Sequence, residues 1–166
     1  MAATVEISES NGASETVTDG ITNSNMGSAD VVNLDPATYP ITPGDRSYAK
    51  YQRLHVVDMG GSTSIKNIKV WRTGALGGAA THVTNARTSS YTAISYSQPV
   101  NTAISGVDQA MPTSAPATAN LGIGGSLTGE LTAPGYSDYL VHQIVTDASD
   151  TAGSTTTLNF QYDEIA

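Results

Sequence analysis

Apolar residues in this chain recur at every second position, in short runs cut off by turn residues, and no stretch sustains the three-to-four spacing of a helix face. The last run shows the rule. Across residues 155–164, Leu158, Phe160 and Tyr162 fall on one side, and Thr157, Asn159 and Gln161 on the other. Successive side chains of an extended backbone point to opposite faces, so this alternation predicts a strand with one buried face. The same reading applies at residues 3–8, where Val5 and Ile7 oppose Thr4, Glu6 and Ser8. In residues 50–57, Leu54 and Val56 share a face opposite Tyr51, Arg53 and His55. In residues 64–72, Ile68 and Val70 point inward with Lys69 and Trp71 outward, unless a single bulge turns Trp71 into the core. Residues 138–146 are apolar on both sides, with Tyr139, Val141 and Val145 against Leu140, His142 and Ile144. That predicts a central strand covered on both faces.

Weaker candidates lie at residues 15–18, 30–34, 81–85, 89–96 and 127–131. Asn11-Gly12, Asp19-Gly20 and the glycines at 60–61, 74, 77–78 and 124–125 separate them. Residues 97–120 hold Pro99, Pro112 and Pro116 and read as a loop or two short irregular strands. Seven to ten short strands with no helix predict an all-β fold, an antiparallel β-sandwich of immunoglobulin-like or jelly-roll type. Composition agrees. Ser and Thr total 40 of 166 residues, with 20 Ala, 16 Gly, one Phe and one Trp, so the core is built from small parts. Pro36, Pro40 and Pro43 make residues 35–44 an extended linker. It divides an N-terminal arm, residues 1–45, from a sandwich domain, residues 46–166. An arm too short to bury its own core must pair with its own sandwich or with a neighbouring subunit.

Charge is segregated along the chain. All seven basic residues, Arg46, Lys50, Arg53, Lys66, Lys69, Arg72 and Arg87, lie between positions 46 and 87. The flanks carry seven acids each and no base, and the net charge is −8. These cations form a candidate interface band, matched either by acids of the same molecule or by a complementary surface on another subunit. Overall acidity excludes nucleic acid as the main partner. No apolar run approaches the roughly 20 residues of a membrane span, and the first residues lack the pattern of a signal peptide. The expectation is a soluble product made in the cytoplasm, with no membrane partner.

No catalytic or cofactor frame emerges, and none is expected. Absence of cysteine excludes a zinc–thiolate site. His55, His82 and His142 form no close-spaced ligand pair, so no metal site is assigned. The acidic loop 147–153 has oxygen donors for an ion but lacks the ligand density of a calcium loop. Gly122-Ile-Gly124-Gly125 matches neither phosphate-binding fingerprint. Tyr48, Tyr51, Trp71, Tyr91 and Tyr96 are candidates for a glycan-facing surface, if exposed together; buried, they are ordinary core.

Four segments carry a resemblance. They are residues 39–55 (Tyr-Pro-Ile-Thr-Pro-Gly through Ser-Tyr-Ala-Lys-Tyr-Gln-Arg-Leu-His), residues 65–72 (Ile-Lys-Asn-Ile-Lys-Val-Trp-Arg), residues 131–140 (Leu-Thr-Ala-Pro-Gly-Tyr-Ser-Asp-Tyr-Leu) and the ending at 158–164. Together they resemble small β-sandwich structural proteins of tailed-bacteriophage virions. The resemblance covers about residues 39–166 and implies a non-enzymatic virion protein, a capsid decoration (cement) protein on the particle surface. Its implied partners are the major capsid protein or other virion subunits, in a homo-oligomer with a trimer as the working assumption. A tail-fibre or baseplate module binding a receptor or glycan, or a tail or connector component, is the alternative.

Overall fold

The computed structural model describes every residue except Ala152 and contains no helix among them. Ten strands run in chain order: β1 (Thr4–Asn11), β2 (Thr16–Thr18), β3 (Lys50–Asp58), β4 (Ser64–Thr73), β5 (Thr81–Thr84), β6 (Gln109–Ala110), β7 (Glu130–Leu131), β8 (Gly135–Tyr136), β9 (Leu140–Val145) and β10 (Thr157–Ile165). They form two antiparallel sheets packed as a β-sandwich. The larger sheet has the order β2-β1-β3-β9-β5-β6, with β8 also paired to β3; the smaller has the order β10-β4-β7. β8 and β9 continue along the same edge of β3, broken at Ser137, whose hydroxyl accepts from Leu54 N–H at 3.0 Å.

β1 pairs with β3 over most of its length, from Thr4 opposite Asp58 to Ser10 opposite Tyr51. The N-terminal segment therefore pairs with its own sandwich rather than reaching outward. Asn11-Gly12 begins the turn into β2, with Gly12 at a φ of 79°. Residues 89–96, a strand candidate, form none; nor do residues 30–34. Of residues 127–131 only Glu130–Leu131 are extended and paired. In residues 89–96 the strand-favouring Tyr, Thr and Ile are diluted by Ser and Ala, which leave too little apolar side chain to hold a ladder in place.

Two apolar clusters explain why β9 is apolar on both faces. Leu54, Val56 and Leu140 of the larger sheet meet Ile65, Ile68 and Val70 of the smaller one in the main core. Behind the larger sheet, Ala49, Tyr51, Tyr139 and Val141 are covered by Ile94, Tyr96, Ile104 and Val107. The weakly patterned 88–107 stretch is thus a third layer, and it makes β3 and β9 central in depth as well as in order. On β4, Ile68 and Val70 point inward and Lys69 and Trp71 outward, as the alternation predicts. A bulge does occur, earlier: Asn67 has a φ of 56°, and the β10 register slips opposite it between Gln161 and Asp163. It lets Ile65 and Ile68 face the same core.

Two buried asparagines finish sheet edges that no strand covers. Asn120 accepts from Val70 N–H at 2.7 Å and donates to Val70 C=O at 2.8 Å. Asn85 does the same for β9, accepting from Val141 N–H and donating to Tyr139 C=O, both at 2.9 Å. A side-chain amide sets N–H donors beside a carbonyl acceptor, as a peptide unit sets one of each, and so substitutes for a strand.

Candidate functional site

The inner face of the larger sheet changes character along its strands. At one end it carries Val5, Ile7, Leu54 and Val56; at the other it carries Glu9, Lys50, Gln52, His142 and His82, all buried. Strand register lines these five side chains up. Glu9 lies opposite Gln52 and Lys50 opposite His142, across three adjacent strands. Lys50 Nζ donates to Glu9 Oε1 at 2.7 Å and to Val31 C=O at 2.7 Å. Gln52 Nε2 donates to Glu9 Oε2 at 2.9 Å. Gln52 Oε1 meets His142 Nε2 at 3.1 Å, and His142 Nδ1 meets His82 Nε2 at 2.8 Å.

Donor rules fix every proton in this relay. The Glu9 carboxylate accepts only, so the Gln52 amide must face it, leaving Gln52 Oε1 as an acceptor. His142 therefore donates from Nε2 and, being neutral, accepts at Nδ1; His82 donates from Nε2 and holds a lone pair at Nδ1. His82 Nδ1 is buried with no partner. Burial, reinforced by the Arg72 charge, pushes the His82 imidazolium down to about 4. Burial, then His82 and Lys50, holds His142 well below its ordinary value. A cavity of about 650 Å³ adjoins this polar end and is bordered by His82, His142 and Arg72.

The seven cations do not make one band. Lys50 is a correction to the interface reading, because it is 2% exposed and spent on Glu9. Its charge is neutralised inside the sandwich by an acid 41 positions away. Arg72 faces inward and borders the cavity. Arg53 lies over the rings of Tyr136 and Tyr139, at 4.1 and 4.4 Å. Arg87 pairs with Asp108 at 2.9 Å. Arg46 is half-buried against the end of β9, bridged to Val145. Lys66 and Lys69 alone stand together, on the outer face of β4, and neither has a carboxylate within 4.0 Å among the described residues.

The glycan-facing set is corrected too. Tyr51 is fully buried. Its ring packs edge-on against Tyr96 and Tyr139, with centroids 5.1 and 5.7 Å apart, inside the second core. Tyr96 donates to Gly12 C=O, and Tyr91 to Asp138 at 3.0 Å. Tyr48 and Trp71 are half-buried on different elements. Tyr51, Tyr91 and Tyr96 each have a hydroxyl partner inside the protein, Tyr51 at 2.8 Å from Ser97 Oγ.

Of the described residues, one group brings three ligand-type atoms within 4.8 Å of one another: Glu6, Asp19 and His55. His55 Nδ1 meets Glu6 at 2.9 Å and its ring stacks on Tyr136 at 4.1 Å. Asp19 accepts from Ser8 at 2.5 Å and from Tyr136, bonds that hold its carboxyl below the usual range. The group is already satisfied by protein donors, and a cation would have to displace them. In the 147–153 loop, Asp147 bonds Ser149 and Asp150 clasps backbone N–H groups, leaving those carboxylates engaged; Ala152 lies outside the described residues. Among the described residues, no Ser, Thr or Tyr hydroxyl is hydrogen-bonded to a histidine.

Compared with protein-family models, curated proteins and solved structures, the chain matches none. Glu9, Gln52, Asn85 and Asn120 were not foreseen. No local motif marks them, and only strand register brings them to their partners.

Proposed function

We propose that this chain is a structural protein of a phage virion, a capsid decoration protein that works by adhesion through the outer face of its smaller sheet. The observation that carries this reading is the pair Lys66 and Lys69. They project from β4 without carboxylate partners, in a chain whose net charge is −8. Opposite them in register lie Asp163 and Gln161 on β10, a nine-residue strand at the edge of the three-stranded sheet. Glu130 on β7 also faces Lys66 in register, so Lys69, with Gln161 opposite it, is the cation least offset by neighbouring acids. With the exposed β10 edge it suits contact with an acidic surface repeated on neighbouring capsid subunits. Burial of the tyrosine cluster favours scaffolding over glycan binding. The rest of the sandwich serves stiffness: two cores, the buried relay and side-chain amides closing the sheet edges.

The test is co-sedimentation of purified protein with capsids assembled without it, across a salt series. Wild-type protein should saturate the particles in low salt and dissociate as salt rises. The Lys66→Gln/Lys69→Gln variant, which adds no like charge beside Asp163 and Glu130, should lose most of its occupancy while unfolding close to wild type. Equal occupancy by that variant would refute docking through this face.

A further inference from the structure

The cavity beside the histidine relay is built from both sheets. Ile7, His142 and Ile144 come from the larger sheet, and Arg72 and Leu158, which are register partners, from the smaller. Its volume of about 650 Å³ falls within the roughly 300–1,000 Å³ of small-molecule sites. The apolar part of its wall is aliphatic, chiefly Ile7, Ile21, Ile144 and Leu158, and among the described residues no Tyr, Phe or Trp lines it.

Two charged groups border it, Arg72 and Asp150. Asp150 is committed, since its two oxygens accept from Ala79 N–H and Asp147 N–H, each at 2.6 Å. Arg72 is not. Its Nη1 reaches only the Gly74 carbonyl, its Nε–H is buried without an acceptor, and no carboxylate lies within 4.0 Å among the described residues. His82, 93% buried on its 7% exposure, leaves Nδ1 equally unpartnered. The two residues flank one short segment: Met111 N–H donates to His82 C=O at 2.8 Å, and Arg72 N–H to Pro112 C=O at 2.9 Å. Both residues line the cavity, and the Arg72 charge acts on the His82 ring, which brings the two unpartnered side chains into one neighbourhood. A guanidinium without a counter-ion beside aliphatic walls is half of a recognition site, whose other half is an anion with an apolar body.

We propose that this cavity binds an aliphatic carboxylate, its head on the Arg72 guanidinium and its chain along Ile7, Ile21, Ile144 and Leu158. A sugar is disfavoured by the missing aromatic platform, and a polyphosphate by the single arginine. The site is separate from the outer-face lysines and does not depend on the docking role.

Calorimetric titration of the full chain with octanoate tests this, with octanol as the neutral probe of the same length. Octanoate should bind saturably and about tenfold or more tighter than octanol, the worth of one charge-assisted contact. Arg72→Gln should lose that advantage, while Lys69→Gln, on the outer face of the same strand, should bind as wild type does. In wild-type protein the Arg72 Nε–H resonance should shift with octanoate occupancy, a readout that needs no variant to fold. Equal binding of octanoate and octanol, undiminished octanoate binding by Arg72→Gln, or an Arg72 resonance unmoved at saturation would each overturn the proposal.

Discussion

His82 Nε2 lies 2.8 Å from His142 Nδ1, and both rings are buried between positive charges, Arg72 on one side and Lys50 on the other. The folded protein therefore holds both imidazoles neutral at a pH where the unfolded chain protonates them.

This gives stability a signed dependence on pH. An unfolded histidine titrates near 6.5, while folded His82 does so at about 4. Between these values the unfolded state binds more protons, so the folded state loses ground as pH falls. The His82 contribution is fully present above about pH 7 and declines to pH 4, by about 3 kcal/mol in total. His142 shifts in the same direction and adds to the loss. Urea unfolding at pH 7.5, 6, 5 and 4 measures it, and His82→Gln should flatten part of the slope.

Glu9 and Lys50 form an ion pair with almost no solvent contact. Removing one partner strands a buried charge, so Glu9→Ala and Lys50→Ala should each cost about 3–5 kcal/mol. The apolar pair Glu9→Leu/Lys50→Met should cost much less than the sum of the single changes. A double-mutant cycle by chemical denaturation checks the coupling.

Asn120 supplies both hydrogen bonds of a missing strand to Val70. Asn120→Ala leaves that buried N–H and C=O unpaired and should cost about 2–4 kcal/mol. Asn120→Asp keeps the acceptor and loses the donor. It should remain destabilised, since a carboxylate then faces the Val70 carbonyl. Hydrogen exchange at the Val70 amide should accelerate in Asn120→Ala beyond what global stability accounts for.

The strands that alternate cleanly were readable from the chain: Leu158, Phe160 and Tyr162 announce β10, and the double-faced 138–146 run announces a central β9. Residues 89–96 misled because Tyr91 and Tyr96 look like strand aromatics; instead Tyr96 packs in an irregular layer over the second core and Tyr91 is held by Asp138. Charge position along the chain was a poor guide to charge position in space. Lys50 and Lys69 sit in the same basic stretch, yet one is buried on Glu9 and the other stands on an outer face. The histidine relay was illegible for the same reason. His82 and His142 are 60 positions apart and meet only because β5 and β9 are neighbours in a particular register.

Electron cryomicroscopy of particles carrying this protein tests the docking role most directly. The expected density places the outer face of the β10-β4-β7 sheet against the capsid, with Lys66 and Lys69 meeting carboxylates of the neighbouring subunit. Density in which that face is open to solvent, or particles that never acquire the protein, would contradict it.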